Sequence, residues 1–404
     1  MRTGSTEEMG VPDETADVVI IGGAAMGSAL AWFLSSRSDF QGRIVVVEPD
    51  PTYEHASTAL SASCIRHQFS NDINVRMSMF GTTFIQNFRT ALGNHPDVPE
   101  IALKEIGYLF LAPTETAHIL QENHAVQSAC DATTELLSPD DISARFPFYN
   151  LDGIACGLLN QNGEGWFDGY GMMQALKAAA RRNGVSYRTD KVVSVQHDGH
   201  RIASVGLASG AAIRAEWFVN AAGRHAADIA KAAGVHVPVE PRKRCLFVFS
   251  CATELGQPMP LTIDPSGVHC RSDGKWFLAG TVPEDDRAVA YSDFGVIYEE
   301  FEDMIWPALA HRVPAFEAIR LERAWAGHYA YNTLDQNAII GPHPDLKNLV
   351  FANGFSGHGL QQSPAVGRGI SEWIATGRYE TLDLSPLGYD RVLSDAPFLE
   401  KAII

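Results

Sequence analysis

The sequence predicts an α/β fold in which a Rossmann-like domain is interleaved with a second, more β-rich domain. The first observation is a strand–helix–strand unit of about thirty residues, 17–48, near the start of the chain. The second is that helical and strand patterns alternate there, again near 170–235 and again near 345–376, while strands dominate the stretches between. Two consecutive domains would change the pattern once, so this repeated return favours interleaved domains.

The composition narrows the class of protein. At 404 residues the chain is long enough for two to three domains of about 150 residues each. Its net charge of −17 would repel phosphate backbones and anionic lipid, so binding of nucleic acid or of a membrane surface is not expected. Its apolar runs are far shorter than the roughly 20 residues of a membrane-spanning helix, and its acidic start is unlike a secretory or transit peptide.

Cysteine and histidine usage argues against a metal site. The 6 cysteines are scattered without a C-x-x-C pair, and the 14 histidines form no H-x-x-x-H or H-E-x-x-H pattern. We therefore expect reduced thiols, no metal ligands and a cytoplasmic location.

The opening unit has the features of a dinucleotide-binding turn. Asp17–Ile21 (DVVII) is typical of a strand buried on both faces, a glycine-containing loop follows at 22–27, and an apolar helical stripe covers 28–34. The second strand, 43–48, ends in an acid, Glu48. This order of elements predicts a parallel βαβ crossover.

The glycine loop carries the chemistry of this unit. Gly22 permits the tight turn and Gly27 lets the helix pack closely on the strand, so that free helix N–H groups point at a pyrophosphate. Glu48 follows at the spacing of the acid that binds ribose hydroxyls. Ala24 replaces the middle glycine of G-x-G-x-x-G, which limits how closely the backbone approaches the phosphates. The loop predicts a dinucleotide, either NAD or FAD; the alternative is a plain βα turn.

A second loop lies late in the chain, between an apolar strand at 349–352 and a helix predicted over Pro364–Thr376. It reads NGFSGHGLQQS at 353–363, and its glycines let backbone N–H groups approach a flat ring. The helix would direct its positive end towards a group bound before it. A serine-hydrolase elbow is excluded because His358 replaces the last glycine of G-x-S-x-G. The plain alternative is a helix-entry turn.

This second loop resembles that of the amine-oxidising FAD proteins of the D-amino-acid oxidase and sarcosine oxidase superfamily, in which a GFSGHG loop lies against the isoalloxazine ring. The chain is still more similar to a mitochondrial group of FAD-dependent oxidoreductase-domain proteins known as complex I assembly factors. The similarity is carried by ASTALS at 56–61, RHQFS at 66–70, EGWFD at 164–168, WAGHYAYNTLDQNAIIGPHP at 325–344 and GFSGHGLQQSP at 354–364. It therefore covers most of the chain.

The resemblance implies FAD as the cofactor and two discontinuous domains. The Rossmann-like FAD-binding domain would comprise 15–90, 151–236 and 325–390, and the α+β substrate domain, with a mixed sheet, 91–150 and 237–324. The residues expected to contact FAD are Gly22, Gly23, Ala24, Ala25, Met26, Gly27, Glu48, Pro49, Ser57, Thr58, Ser61, Ala62, Ser63, Val192, Ala222, Gly223, Gly357, His358, Gly359, Leu360 and Gln361.

The resemblance also implies which residues lie nearest the substrate. In sarcosine oxidases the arginine of a similar I-R-H segment binds the substrate carboxylate, and Arg66 matches it here; the alternative is a structural ion pair. His358 and Gln361 are expected beside the flavin as catalytic residues, with a histidine satisfied by loop carbonyls as the alternative for His358. Three tyrosines are candidates for the pocket wall or, alternatively, for the core: Tyr108, Tyr329 and Tyr331.

Three departures from the sarcosine oxidase pattern shape the expected chemistry. Gln361 stands where those enzymes have a lysine after the loop, and Leu278 stands where their oxygen-activating lysine lies. Without a positive charge near the flavin, oxygen accepts electrons less readily, so a dehydrogenase is expected rather than an oxidase. The cysteine that bonds FAD in those enzymes falls near His328, so non-covalent FAD is expected, with a bond to His328 as the alternative.

The sequence thus predicts FAD-dependent oxidation of the C–N bond of a secondary or N-substituted amino acid to an imine, by hydride transfer to flavin N5. The electron acceptor is left open among a quinone, an electron-transfer protein and oxygen. The rival hypothesis is an FAD-fold scaffold or assembly factor for a respiratory complex, with little turnover. A nicotinamide reductase is a third hypothesis, which the GFSGHG loop disfavours.

Overall fold

The computed structural model describes residues 14–401. Its strands are β1 (Glu14–Thr15), β2 (Val18–Ile21), β3 (Ile44–Glu48), β4 (Cys64–Ile65), β5 (Tyr108–Ala112), β6 (Glu135–Leu137), β7 (Cys156–Asn160), β8 (Gly165–Trp166), β9 (Ser186–Thr189), β10 (Val192–His197), β11 (Ile202–Leu207), β12 (Ala212–Arg214), β13 (Trp217–Asn220), β14 (Val239–Cys251), β15 (Leu261–Ile263), β16 (His269–Asp273), β17 (Trp276–Gly280), β18 (Ile319–Asn332), β19 (Ile339–Pro342) and β20 (Leu349–Asn353). Its α-helices are α1 (Ala25–Ser35), α2 (Ser57–Leu60), α3 (Asp72–Gln86), α4 (Phe88–Ala91), α5 (Ala117–Ala129), α6 (Pro139–Arg145), α7 (Gly169–Arg182), α8 (Ala226–Ala232), α9 (Trp306–Arg312), α10 (Gly359–Thr376) and α11 (Asp390–Leu393).

A six-stranded sheet has the order β19-β20-β13-β2-β3-β9. Its strands are parallel except for β19, which runs antiparallel to β20 at the edge. The β2 residues VVII are all buried, because α1 and α10 cover one face of the sheet and α8 covers the other. This confirms the α/β fold with a Rossmann-like parallel sheet.

An eight-stranded mixed sheet has the order β18-β14-β17-β16-β15-β5-β7-β6. Only β15 and β5 run parallel among its neighbouring strands. The long strands β14 and β18 pair from Val239–Asn332 to Cys251–Ile319. A π-helical turn at Glu300–Ile305 and α9 cover the core on one face, where Phe247 and Phe249 are fully buried. The mixed sheet of the predicted substrate domain is therefore present.

Two smaller sheets complete the fold. One has the order β1-β12-β11-β10 and packs beside the six-stranded sheet. The other is the antiparallel pair β4–β8, in which Cys64 faces Trp166 and Ile65 faces Gly165. This pair joins the RHQFS segment to the EGWFD segment, which are almost 100 residues apart in the chain.

Helix α10 begins five residues earlier than the sequence predicted, at Gly359 instead of Pro364. Proline lacks an N–H, so Pro364 inside the helix leaves the carbonyl of Leu360 without its usual helical hydrogen bond. The hydroxyl of Ser363 donates to that carbonyl instead, at 2.9 Å. Reading the proline as a helix start was wrong because a neighbouring side chain offsets the missing bond.

The predicted division into two domains stays a prediction, and two strands of the mixed sheet lie across or beyond its predicted boundaries. Strand β7 pairs with β5 and β6 in the eight-stranded sheet, although it lies after the predicted boundary at 151. Strand β18 pairs with β14 over its whole length, although the predicted boundary at 325 divides it. Hydrogen bonding keeps each of these strands within the mixed sheet.

Candidate functional site

The carboxyl ends of β2, β3 and β13 open onto a cavity of about 670 Å³. Its wall includes Gly22, Glu48 and Ala222 from these strand ends, and Tyr108 and Leu246 from the eight-stranded sheet. The cavity therefore lies between the two large sheets, at the edge of a parallel sheet where α/β folds bind ligands.

The turn between β2 and α1 places the start of a helix on the cavity wall. Gly22 has a φ of +101°, and a Cβ on Gly27 would overlap the Gly22 carbonyl oxygen. Helix α1 has no side-chain cap and no acid in its first turn; its Ala25 N–H makes only a long bond of 3.4 Å to Thr58 Oγ1. This helix end suits a pyrophosphate, which accepts N–H hydrogen bonds and is attracted by the helix dipole.

Glu48 lies on the same wall, at the end of β3. Its Oε2 accepts a hydrogen bond from the Gly23 N–H at 2.8 Å, and its Oε1 accepts one from the Asp50 N–H at 3.0 Å. Burial raises the pKa of this carboxyl, whereas the two N–H donors favour its ionised form. The carboxylate is thus fixed in position beside the turn, and ribose binding by it stays a prediction.

The residues predicted to contact FAD line this cavity, with two exceptions. Gly23 lies behind the wall, where its N–H is used by Glu48, and Gly27 packs on the turn. Both glycines shape the loop from behind, and their contact with FAD stays a prediction. The others are on the wall: Gly22, Ala24, Ala25, Met26, Glu48, Pro49, Ser57, Thr58, Ser61, Ala62, Ser63, Val192, Ala222, Gly223, Gly357, His358, Gly359, Leu360 and Gln361.

The GFSGHG loop forms another part of the wall. Gly357 has a φ of +95°, and a Cβ there would lie 2.6 Å from the ring of Tyr329. This close approach leaves room for glycine alone. Because α10 begins at Gly359, its N-terminal end lies next to His358 on the cavity wall.

Arg66, His358 and Gln361 meet on this wall. Nη2 of Arg66 lies 3.3 Å from Nε2 of His358, and Nη1 donates to the Gln68 carbonyl. The backbone N–H of Arg66 donates to Oε1 of Gln361 at 2.8 Å, and the guanidinium lies 4.1 Å from the ring centroid of Phe69. Arg66 is only 2% exposed. Arg66 therefore contacts both of the other residues predicted to lie nearest the substrate.

The electrostatics of this cluster keep His358 neutral. Burial and the neighbouring Arg66 guanidinium hold the pKa of His358 well below its ordinary value. Its imidazole therefore adds no second positive charge beside Arg66 at neutral pH, and its Nε2 can accept a hydrogen bond from Nη2. The ring packs edge-on against Phe69, with centroids 4.9 Å apart.

A buried carboxylate supports the Arg66 segment from behind, and sequence reasoning assigned it no role. Oε1 of Glu164 accepts hydrogen bonds from the His67 N–H at 2.6 Å and from Asn160 Nδ2 at 3.0 Å, and Oε2 accepts one from Gln68 Nε2 at 2.9 Å. Burial raises its pKa to about 7. In the sequence, EGWFD is marked only by its similarity to the related proteins. Its contact with RHQFS arises from the β4–β8 pairing, which no local pattern predicts.

Two of the three tyrosine candidates line the cavity. Tyr108 and Tyr329 are on the wall, whereas Tyr331 lies beyond it along β18, where its hydroxyl accepts a 2.7 Å hydrogen bond from Gln336. Leu278 is 4% exposed and also lies off the wall, opposite Arg271 in the β16–β17 pair.

Two further polar residues of the wall were missed by sequence reasoning. Arg244 on β14 is paired with Asp286 through contacts of 2.7 and 3.0 Å, and its guanidinium lies 5.0 Å from the ring centroid of Tyr329. His269 on β16 has a pKa lowered to about 4 by burial and by the charges of Arg244 and Arg271. No motif marks either residue, since they reach the cavity only through the strand order of the mixed sheet.

His328 has both ring nitrogens engaged. Its Nε2 donates to the Asp293 carbonyl at 2.6 Å, and its Nδ1 lies 3.4 Å from Nη1 of Arg224. The ring also stacks on Phe294, with centroids 4.4 Å apart and planes within 11°. A covalent bond to a flavin would require one nitrogen to give up its partner, which favours a non-covalent cofactor.

We therefore expect the purified protein to be yellow and to release its flavin completely on acid precipitation, at one FAD per chain. The reason is that no cysteine lies at the position of the covalent bond and His328 is held by Asp293 and Arg224. The measurement is the absorbance of supernatant and pellet. Flavin retained on the pellet of the wild type, but released from His328→Gln, would establish the covalent bond instead.

The chain matches a known family and is similar to named proteins. The family model described as DAO, FAD dependent oxidoreductase, matches residues 17–373. The Xenopus laevis protein named FAD-dependent oxidoreductase domain-containing protein 1 is 39% identical over 98% of this chain and 86% of its own length. Human mitochondrial dimethylglycine dehydrogenase is 24% identical over 94% of this chain and 45% of its own length.

Solved structures share the fold. L-proline dehydrogenase from P. horikoshii superposes with a TM-score of 0.82 at 23% identity, covering 95% of this chain and 99% of that one. Glycine oxidase from Geobacillus kaustophilus gives a TM-score of 0.78 at 21% identity, covering 93% and 98%. The resemblance and the fold class predicted from the sequence are therefore confirmed. Between residues 14 and 401, no helix has the length and apolar character needed to cross a bilayer.

Proposed function

Because the chain belongs to the family of FAD-dependent oxidoreductases, we propose that it oxidises the C–N bond of a secondary or N-substituted amino acid to an imine. FAD is the cofactor of the family, and the cavity offers the uncapped helix end, the tight glycine turn and the carboxylate of Glu48 that suit it. The observation that supports the proposal best is the buried guanidinium of Arg66 beside His358 on that wall.

Arg66 would bind the substrate through its carboxylate. A guanidinium presents N–H donors in a planar fork that matches the two oxygens of a carboxylate, and the pairing is stronger in a buried wall than in water. Phe69 beneath the guanidinium and the carbonyl of Gln68 fix its plane. The fork therefore orients the substrate as well as attracting it.

The remaining contribution of the protein is positioning. The amine would bind as the uncharged free base, because the wall formed by Tyr108, Tyr329 and Leu246 is largely apolar. His358 is neutral, so it adds no further charge beside Arg66. FAD, when bound, supplies the acceptor of a hydride from the carbon next to the nitrogen. The imine product leaves the cavity and hydrolyses in water.

Electron transfer to oxygen is expected to be slow compared with transfer to an artificial acceptor such as a phenazine dye. Leu278 and Gln361 are neutral where sarcosine oxidases carry lysines, and the charge of the Arg244 guanidinium on the cavity wall is offset by its pairing with Asp286. The measurement compares hydrogen peroxide formation with dye reduction on one amine and one preparation. An oxygen rate equal to or above the dye rate would identify an oxidase and contradict the argument from charge.

The proposal is tested by an anaerobic screen of N-methyl and cyclic amino acids. Bleaching of the flavin absorbance by an amine, with the corresponding imine or its hydrolysis product recovered, would support amine oxidation. A protein that retains FAD but is bleached by no member of the panel would favour the rival hypothesis, a scaffold for assembly of a respiratory complex. The electron acceptor stays open, and the cytoplasmic location stays a prediction.

A further inference from the structure

Glu400, near the end of the described chain, is buried against the segment that carries Arg66. It is 1% exposed. Its Oε1 accepts hydrogen bonds from the N–H and the hydroxyl of Ser70, at 2.7 and 2.6 Å. Its Oε2 accepts bonds from Asn71 N at 3.3 Å, Asn71 Nδ2 at 3.2 Å and Asn74 Nδ2 at 2.9 Å. One carboxylate therefore fixes the end of RHQFS and the start of α3.

These bonds lie one residue away from the contacts of the guanidinium. Ser70 follows Phe69, whose fully buried ring lies under Arg66 at 4.1 Å and edge-on to His358 at 4.9 Å. A shift of the Ser70 backbone would move this ring, and with it the surface on which the guanidinium rests. Glu400 is thus linked to Arg66 through Ser70 and Phe69.

The same carboxylate is linked to the GFSGHG side of the cavity. Asn74, which donates to Glu400, also donates to Asn337 Oδ1 at 2.8 Å and accepts from Gln362 Nε2 at 3.2 Å. Gln362 lies in the first turn of α10, directly after Gln361. The network therefore ties the Arg66 segment to the helix start beside His358.

The 395–401 segment is held in place by further bonds. The Phe398 N–H donates to Oδ2 of Asp335 at 3.0 Å, Asn337 Nδ2 donates to the Phe398 carbonyl at 2.6 Å, and the Lys401 N–H donates to Ser70 Oγ at 2.8 Å. Asp335 in turn pairs with Arg391 at 2.6 Å. These hydrogen bonds hold the Glu400 carboxylate in one position, where it accepts hydrogen bonds from the segment that carries Arg66.

We propose that Glu400 is a positioning residue for substrate binding, which holds Phe69 and Arg66 in the arrangement that receives a carboxylate. The inference rests on the proposed function, because it takes Arg66 as the carboxylate-binding residue. Small displacements of a binding group lower affinity steeply, since both N–H···O bonds of the fork depend on its plane. Loss of the charge of Glu400 should therefore weaken the binding of carboxylate ligands and leave the binding of uncharged ligands almost unchanged.

The experiment titrates the FAD-loaded protein with methoxyacetate, a carboxylate that has an ether oxygen in place of the amine, and follows the visible flavin spectrum. 2-Methoxyethanol is the uncharged reference. Glu400→Gln is expected to raise the Kd of methoxyacetate by about ten- to 100-fold. Arg66→Lys is expected to raise this Kd as well. In Glu400→Gln, the amides of Ser70 and Asn71 are also expected to exchange hydrogen faster.

Glu372 provides a matched control. It is a 2% exposed carboxylate on α10 that accepts bonds from the Glu380 N–H at 2.8 Å, the Thr381 N–H at 3.2 Å and the Thr381 hydroxyl at 2.6 Å. Glu372→Gln therefore removes a similar buried charge away from the cavity. It is expected to lower the unfolding temperature without changing the Kd of methoxyacetate.

The outcomes separate the two levels of the argument. The role of Glu400 is overturned if Arg66→Lys raises the Kd of methoxyacetate but Glu400→Gln does not. It is also overturned if Glu372→Gln raises this Kd as much as Glu400→Gln does. If Arg66→Lys leaves the Kd unchanged, the proposed carboxylate site itself is overturned. Should Glu400→Gln fail to fold, Ser70→Ala provides a second test, because it removes one donor to Glu400. It is expected to raise the Kd of methoxyacetate by a smaller factor. An unchanged Kd in Ser70→Ala would contradict the inference.

Discussion

Replacing Arg66 by alanine is expected to lower kcat/KM for a carboxylate-bearing amine by about ten- to 150-fold, with FAD retained. The loss corresponds to a charge-assisted pair worth roughly 1.5–3 kcal/mol. FAD should be retained because the guanidinium contacts Gln68, Phe69 and His358, whereas the helix end and Glu48 that suit the nucleotide belong to other elements. The measurement is steady-state kinetics with a carboxylated amine and an uncharged amine of similar size.

The charged and uncharged substrates should respond differently to this change. The uncharged amine never uses the ion pair, so its kcat/KM should fall much less. Arg312→Ala is the control, because Arg312 is 5% exposed, pairs with Asp264 at 2.7 Å and lies off the cavity wall. It should lower stability without changing the ratio between the two substrates. Equal losses for both amines in Arg66→Ala, or loss of the flavin, would show that Arg66 is structural.

Replacing Gly27 by alanine is expected to weaken FAD binding by about five- to 150-fold, which corresponds to an overpacking cost of about 1–3 kcal/mol. The added methyl group would overlap the carbonyl oxygen of Gly22, so the start of α1 must move away from the turn. That movement displaces the helix N–H groups that face the cavity. The measurement is the Kd of FAD for the apoprotein, from quenching of flavin fluorescence.

Gly295→Ala is the control for this substitution. A Cβ there would meet only Oδ1 of Asp293, at an ordinary 3.5 Å, so its FAD affinity should match that of the wild type. Circular dichroism of each apoprotein checks that the fold is intact. Unchanged FAD affinity in Gly27→Ala would mean that the turn is looser than the close approach of Gly22 and Gly27 implies.

Local patterns were sufficient to predict the parts of the fold whose structure is decided locally. DVVII became β2 because a β-branched run with helices on both sides has every position buried. A serine followed by proline is a local pattern that favours a helix start, and α6 begins there, with a reciprocal capping box between Ser138 and Asp141. Arg66, His358 and Gln361 were named together because a family resemblance carries over an arrangement that spacing along the chain does not reveal.

Other features depend on contacts between distant segments, which a single sequence does not encode locally. Glu164 supports Arg66 only because β4 pairs with β8, and Arg244 reaches the cavity only through the order of the mixed sheet. The start of α10 was misplaced because the Ser363 hydroxyl offsets the proline. The hydrogen bond from the Gly23 N–H to Glu48 joins residues 25 positions apart, so the local pattern does not reveal it.

The order of strands in the six-stranded sheet also fixes when the cofactor site is completed during synthesis. Strands β2 and β3 are made early, but β20, which flanks β13, ends only at Asn353, and the loop beside His358 follows it. A nascent chain that has not yet reached β20 leaves the edge of β13 unpaired, with the apolar Phe218 and Val219 along it. A complete FAD site is therefore expected only after the loop beside His358 has been made, and until then we expect the open edge of β13 to be prone to pairing with another chain.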